Sequence, residues 1–222
     1  MTIVQKYGAV AVAVTLILCA GAATASAQAT SAQSTPASPG YVELVANSTF
    51  GNVTSQAYGG EIGYRVWNEA QLYVEGGVVR NAATSSLDSA AQTIATALGQ
   101  LQPSAVSYSV KQPVSYVSAG IRFPLSTQAK VIPYVIAGFG LAKVKKDVTF
   151  QIASSEQITQ YVTLGEDLTG SQNSPLLNIG AGVAWPVWQR MVIDFQFRVM
   201  RVFAEDEGMN IGRGGVGVGF RF

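Results

Sequence analysis

Nine ionisable side chains recur inside segments of otherwise alternating apolar residues: Glu43, Glu61, Glu75 and Asp194 against Arg65, Arg122, Arg198, Arg213 and Arg221. Carboxylates brought together in a shielded place can act as an acid and base pair; carboxylates met by guanidinium groups pack as charge-assisted, hydrogen-bonded ion pairs. The near-equal numbers of the two signs favour ion-pair packing. The chain has no histidine, the common general base, and one cysteine, Cys19, which falls in a segment read below as removed. The sequence holds no His/Cys ligand cluster, and its glycine-rich run from Gly212 to Gly219 is not followed by a helix and so cannot cradle a phosphate. Enzyme, metal and cofactor chemistry are not expected.

Period-two alternation positions these charges. From Tyr41 onward eight segments of about ten residues repeat it, each bounded by turn or loop chemistry. One face is uncharged throughout: Val42, Leu44 and Ala46; Ile62, Tyr64 and Val66; Leu72, Val74 and Val78; Val117, Ala119, Ile121 and Phe123. The later segments continue it with Val135, Ala137, Phe139 and Leu141; Leu177, Ile179, Val183 and Trp185; Met191, Ile193, Phe195, Phe197 and Val199; and Val216, Val218, Phe220 and Phe222. The other face carries the nine charges among glycines, with Tyr73, Tyr134, Asn178 and Gln196. An arginine or lysine at a bilayer midplane costs about 2–4 kcal/mol, so eight charge-free faces point to lipid. The expected fold is all-β: an eight-stranded antiparallel up-and-down transmembrane β-barrel, apolar rows outward, charges paired within a narrow interior.

Composition agrees. Charged residues make up 12% of the 222, about half the share usual in a soluble domain, and no apolar run after the N-terminal segment is long enough for a membrane helix. Residues 1–27 read as a secretory signal peptide, with Lys6, an apolar run from Gly8 to Ala20, and Ala25-Ser26-Ala27 ahead of Gln28. Leu18 is bulkier than the small residue that precedes a lipidated cysteine, so Cys19 is read as discarded. Removing Lys6 leaves 14 − 1 = 13 basic against 13 acidic residues, a balance that favours no nucleic acid. Residues 28–40, small, polar and proline-marked, read as a disordered linker, and 41–222 as the barrel.

Links near Trp67 to Ala70, Pro124 to Lys130 and Pro186 to Arg190 are short, and those from Ser48, Asn81 and Lys145 are longer. Outer-membrane barrels place short turns in the periplasm and long loops outside, so both termini are expected in the periplasm. Trp67, Trp185 and Trp188 fall at the short turns and Phe222 ends at the same level, which reads as a periplasmic aromatic girdle.

The signal segment, the eight alternating segments, inward-glycine strands such as Pro133 to Leu141, and the terminal G-V-G-F-R-F resemble the small eight-stranded outer-membrane proteins, the family that includes the OmpA transmembrane domain, OmpX and opacity-type surface antigens. The resemblance covers residues 41–222. It implies that the last strand carries the signal read by the outer-membrane assembly machinery, with Gly217, Phe220 and Phe222 at the matching positions and Val216 where a polar residue is usual. No peptidoglycan-binding domain follows, so no tether to the cell wall is implied.

Within the 81–112 loop, Leu87, Ala91, Ile94, Leu98 and Leu101 have helical spacing, with Ser86 as a possible cap and Gly99 near the end. Such a helix either docks a partner or packs on the barrel mouth. In the 145–174 loop, D-V-T-F-Q-I-A and Q-I-T-Q-Y-V-T read as a protruding hairpin with an edge open to another chain, or as plain strand extension. Glu205-Asp206-Glu207 is either a solvated tip or a contact for a divalent ion at lipopolysaccharide. The expected function is a structural or surface-interaction role, adhesin- or antigen-like, in a Gram-negative outer membrane, carried by the two long loops. Outer-membrane lipid and lipopolysaccharide are expected neighbours. The alternatives are a porin-like channel for small solutes and a soluble periplasmic ligand-binding barrel.

Overall fold

The computed structural model describes residues 39–222 apart from 68, 102–105, 127–128, 153–167 and 205–207. The expected signal peptide, residues 28–38 of the linker, the second run of the 145–174 loop and the acidic 205–207 tip lie outside the described residues. Among the described residues nine strands and one helix follow in order: β1 Gly40–Phe50, β2 Ser55–Trp67, β3 Ala70–Val79, α1 Ser85–Leu101, β4 Val106–Lys111, β5 Val114–Pro124, β6 Ile132–Ile152, β7 Thr169–Pro186, β8 Met191–Val202 and β9 Met209–Arg221.

Eight of the strands close on themselves. The antiparallel order β6-β5-β3-β2-β1-β9-β8-β7 is completed by pairing of β6 with β7, which removes the sheet edges. The seam between first and last strands runs to the chain end: Gly40 N donates to Phe222 O and Phe222 N to Gly40 O, both at 3.0 Å. Pro39 O also accepts from Arg65 N at 2.6 Å. Pro39 and Gly40, expected in the linker, are therefore part of the barrel, because Gly40 supplies the last rung of that seam.

The direction of the oily rows is decided by exposure. Phe195, Phe197, Ile179 and Phe220 are 49, 51, 49 and 43% exposed. Glu61, Glu75, Asp194, Arg198 and Arg213 are all at or below 2%. A soluble barrel would show the reverse.

Two expectations about connections change. The strands run further than expected at the first link: Thr49 still pairs Ser55, leaving 51–54 as a tight connection in place of a long loop. The second change is β4. It pairs residues 147–152 of β6 in the register that β5 continues, Lys111 with Asp147 and Val114 with Val144. β4 and β5 are one line of strand interrupted at Gln112 and Pro113. Pro113 has no N–H to give, yet its carbonyl still accepts from Lys145 N at 3.0 Å. The D-V-T-F-Q-I run thus extends β6, and one of its edges is covered by β4 of the same chain.

α1 forms where the 3.6-residue spacing places it. Its N-cap is Thr84, whose Oγ1 accepts from Leu87 N at 3.4 Å, two residues ahead of the expected Ser86. Leu87, Ala91 and Ala95 pack on Val148, Phe150 and Leu168, with Val106, Tyr108 and Val110 half-buried around them. Val148 and Phe150 share the inward face of β6 with Ala142 and Val144, so the helix covers the inward side of the β4/β6 extension. The base of this unit is pinned by Asn81, whose Oδ1 accepts from Ala83 N at 3.1 Å and Gln112 N at 2.9 Å, and by Gln112, whose Oε1 accepts from Thr84 N at 3.1 Å.

Candidate functional site: the charged barrel interior and the loop unit

The interior is layered. Toward the short turns lie Tyr73, Tyr134, Ile136, Ala184 and Val192. Toward the long loops a second apolar cluster includes Val79, Val114, Val144, Leu176, Met200, Val202 and Ile211, contributed by strands all round the barrel. Between them sits the charge network.

Register explains why the network forms. Glu43 is directly opposite Glu61, and Glu61 directly opposite Glu75, so β1, β2 and β3 carry a ladder of three carboxylates. On β8 and β9, which continue the sheet beyond β1, Arg198 is directly opposite Arg213. Like charges facing each other along a sheet repel, and each row is relieved by the other across the lumen. Arg213 Nη1 lies 2.8 Å from Glu75 Oε1, and Arg198 Nη1 lies 2.9 Å from Glu75 Oε2 and 2.7 Å from Glu61 Oε2. Arg122 reaches Asp194 at 2.5 Å and Glu43 and Glu61 at 3.5 Å each. Asn178 Nδ2 donates to Glu75 at 2.9 Å.

Four tyrosines complete it. Tyr116 and Tyr134 donate to Glu75 and Asp194, both at 2.7 Å, and Tyr41 donates to Glu61. The Arg122 guanidinium lies 3.6 Å from the Tyr134 ring centroid and 4.8 Å from that of Tyr41, and Arg213 lies 4.7 Å from the Tyr116 ring, within cation–π range. Each ring is accommodated by a glycine. A Cβ at Gly63 would collide with the Tyr41 ring, at Gly77 with the Tyr116 hydroxyl, at Gly138 with that of Tyr73, and at Gly182 with that of Tyr134. Sequence reasoning placed Tyr73 and Tyr134 on the inward face but assigned none of the four a role. The signal was available: each shares the phase of the buried charges, and Tyr41, Tyr116 and Tyr134 lie directly opposite glycine in the ladder.

Seven of the nine ionisable residues meet in this network: Glu43, Glu61, Glu75, Arg122, Asp194, Arg198 and Arg213. Arg65 and Arg221 do not. Both are half-buried at the short-turn end and neither enters an ion pair among the described residues. They share the inward phase but sit at the strand ends, outside ion-pair contact with the carboxylates held deeper in the barrel. Trp67, Trp185, Trp188 and Phe222 are exposed at 76, 41, 73 and 49%, around that same end. Gly217 is inward and buried, where a Cβ would collide with the Glu43 carboxylate, while Phe220 and Phe222 point outward. Among the described residues no group of His, Cys, Asp or Glu has the arrangement of a metal site.

Residues 15–222 match the sequence family described as outer membrane protein beta-barrel domain. The chain belongs to that family. An outer-membrane barrel therefore carries this network, and the protein is placed in the bacterial outer membrane. Similar solved structures share the architecture. Neisserial surface protein A, NspA, matches at a TM-score of 0.56 with 16% identity, over 83% of this chain and 98% of the other. A major outer membrane protein of Thermus thermophilus matches at 0.52 with 10% identity, over 82% and 99%. Ail, the attachment invasion locus protein of Yersinia pestis, matches at 0.48 with 14% identity, over 84% and 99%. At these identities the likeness to the first two is one of fold. No curated protein matches the sequence.

Proposed function

We propose that this outer-membrane barrel is a closed, rigid pedestal that presents a folded surface unit, built from α1, β4 and the end of β6, to an extracellular ligand. The observation that carries the reading is the separate apolar core of that unit, Leu87, Ala91 and Ala95 against Val148 and Phe150. A loop serving only to connect strands needs no core, whereas a recognition surface gains from being ordered before it binds. Its exposed α1 residues include Ser89, Gln92, Thr93 and Thr96, with Asp88 as the acid in the first turn, a face suited to hydrogen bonding more than to electrostatic capture.

In this reading the long loops 81–112 and 145–174 lie outside the cell, both termini lie in the periplasm, and Trp67, Trp185, Trp188 and Phe222 form the periplasmic girdle. Gly217, Phe220 and Phe222 are the positions the assembly machinery reads. Adhesion of expressing cells to a panel of immobilised extracellular proteins and glycans tests the proposal. Intact protein supports adhesion, and a version shortened in both loops folds but does not; equal adhesion by both overturns it.

Conduction is the second reading, and the interior weighs against it. The layer formed by Val79, Val144, Leu176, Met200 and Val202 fills the lumen with buried aliphatic side chains.

A further inference from the structure

On three adjacent strand lines the outward face changes from exposed aliphatic side chains to cations at the long-loop end: Val78 then Arg80 beyond β3, Val117 then Ser115, Pro113 and Lys111 along β5 and β4, and Leu141 then Lys143 and Lys145 on β6. Val79 pairs Val114 and Val114 pairs Val144, so Arg80, Pro113 and Lys145 follow in the next row, with the two cations two strand spacings apart, about 10 Å. Lys143 lies two residues below Lys145 on the same face. Asp147, directly opposite Lys111, is the acid of this patch and offsets that lysine. Arg80 Nη1 donates to Gln56 Oε1 at 3.2 Å, which holds the guanidinium against the wall with its other donors available. Lys143 and Lys145 are exposed and enter no ion pair among the described residues. Among the described residues, Ser48, Gln56 and Asn173 on the other strand lines are outward and neutral, and the outward Arg201 is engaged, its Nη1 donating to Asn210 Oδ1 at 2.9 Å.

We propose that Arg80, Lys143 and Lys145 bind the phosphates of a phosphorylated saccharolipid in the outer leaflet while its acyl chains lie on Val78, Val117 and Leu141. Cations set above exposed aliphatic side chains match an amphiphile with an anionic head, and their separation across two strand spacings suits a headgroup with two separated phosphates better than a single phosphodiester. The proposal rests on the reading that the long loops face outward.

The test uses the purified mature protein in neutral detergent, titrated with diphosphoryl lipid A, monophosphoryl lipid A, phosphatidylglycerol and inorganic phosphate, with bound lipid counted by native mass spectrometry. Diphosphoryl lipid A binds tightest. The triple variant Arg80→Gln, Lys143→Gln, Lys145→Gln weakens it roughly a hundredfold, and each single variant about fivefold. The pair Lys130→Gln, Arg190→Gln at the opposite end leaves binding unchanged. The single variants keep the test decisive if the triple variant fails to refold. Unchanged affinity in the substituted proteins, equal loss from the opposite-end pair, or equal binding of phosphatidylglycerol or free phosphate overturns the proposal. Because the protein is purified, the result does not depend on its orientation in a cell. Orientation is read separately by labelling Ser107→Cys on intact cells with a membrane-impermeant reagent.

Discussion

Glu75 Oε1 stands 2.8 Å from Arg213 Nη1 across the lumen, although 138 residues separate the two along the chain. The same carboxylate accepts from Arg198, Asn178 and Tyr116, so one side chain on β3 ties together β5, β7, β8 and β9. Glu43 is held differently: its ion pair to Arg122 spans 3.5 Å, and its Oε1 has no hydrogen-bond partner among the described residues.

Glu75→Gln strands the buried Arg213 guanidinium and leaves Arg198 with Glu61 as its remaining carboxylate, and is expected to lower unfolding stability in lipid by about 3–5 kcal/mol. Glu43→Gln removes a weaker contact and is expected to cost about 1 kcal/mol. Urea titration of both variants in phospholipid vesicles gives the comparison, and equal losses would show that the network does not centre on Glu75.

Gly63→Ala drives a methyl group into the Tyr41 ring and is expected to cost about 1–3 kcal/mol. In a Tyr41→Ala background the same change finds room. A double-mutant cycle should then return a coupling of about 0.5–3 kcal/mol; additive losses would mean that the ring is not seated on Gly63.

These two relationships mark what could be read from the chain alone. The inward or outward placement of Glu75, Phe195 and Phe197 followed from period two, because a one-residue slip would put every charge into lipid. α1 followed from 3.6-residue spacing. The pairing of Glu75 with Arg213 did not, since it depends on barrel stagger, which no local pattern encodes. Arg65 and Arg221 were grouped with the network because phase gives the face but not the depth. Tyr41 and Tyr116 were missed because a tyrosine suits a membrane interface as well as an interior. β4 was missed because Pro113 breaks the alternation that its register against β6 keeps.

Gly217 faces Glu43 and is also one of the proposed assembly positions, so its two roles can be separated. Gly217→Ala is expected to impair refolding of purified protein into vesicles, where no assembly machinery is present, because the added Cβ meets the Glu43 carboxylate. Phe222→Ala is expected to refold normally there and to accumulate less in the outer membrane of cells. Heat-modifiable gel migration reads the first and outer-membrane abundance the second.

The aliphatic layer of Val79, Val144, Leu176, Met200 and Val202 fills the lumen independently of α1, which packs on the β4/β6 extension. Purified protein in planar bilayers is expected to show no stable openings, and deletion of 85–101 is expected to leave it silent. Stable channels in the intact protein would contradict the filled interior.

The central claim is the direction of the oily rows. Single cysteines at Ile179, Phe195, Phe197 and Val218, labelled with an environment-sensitive fluorophore in the vesicle-inserted protein, test it against acyl-chain-brominated lipid and aqueous iodide. Strong quenching by the brominated lipid with little by iodide, at all four sites, is the predicted result; quenching by iodide with protection from the lipid would contradict it.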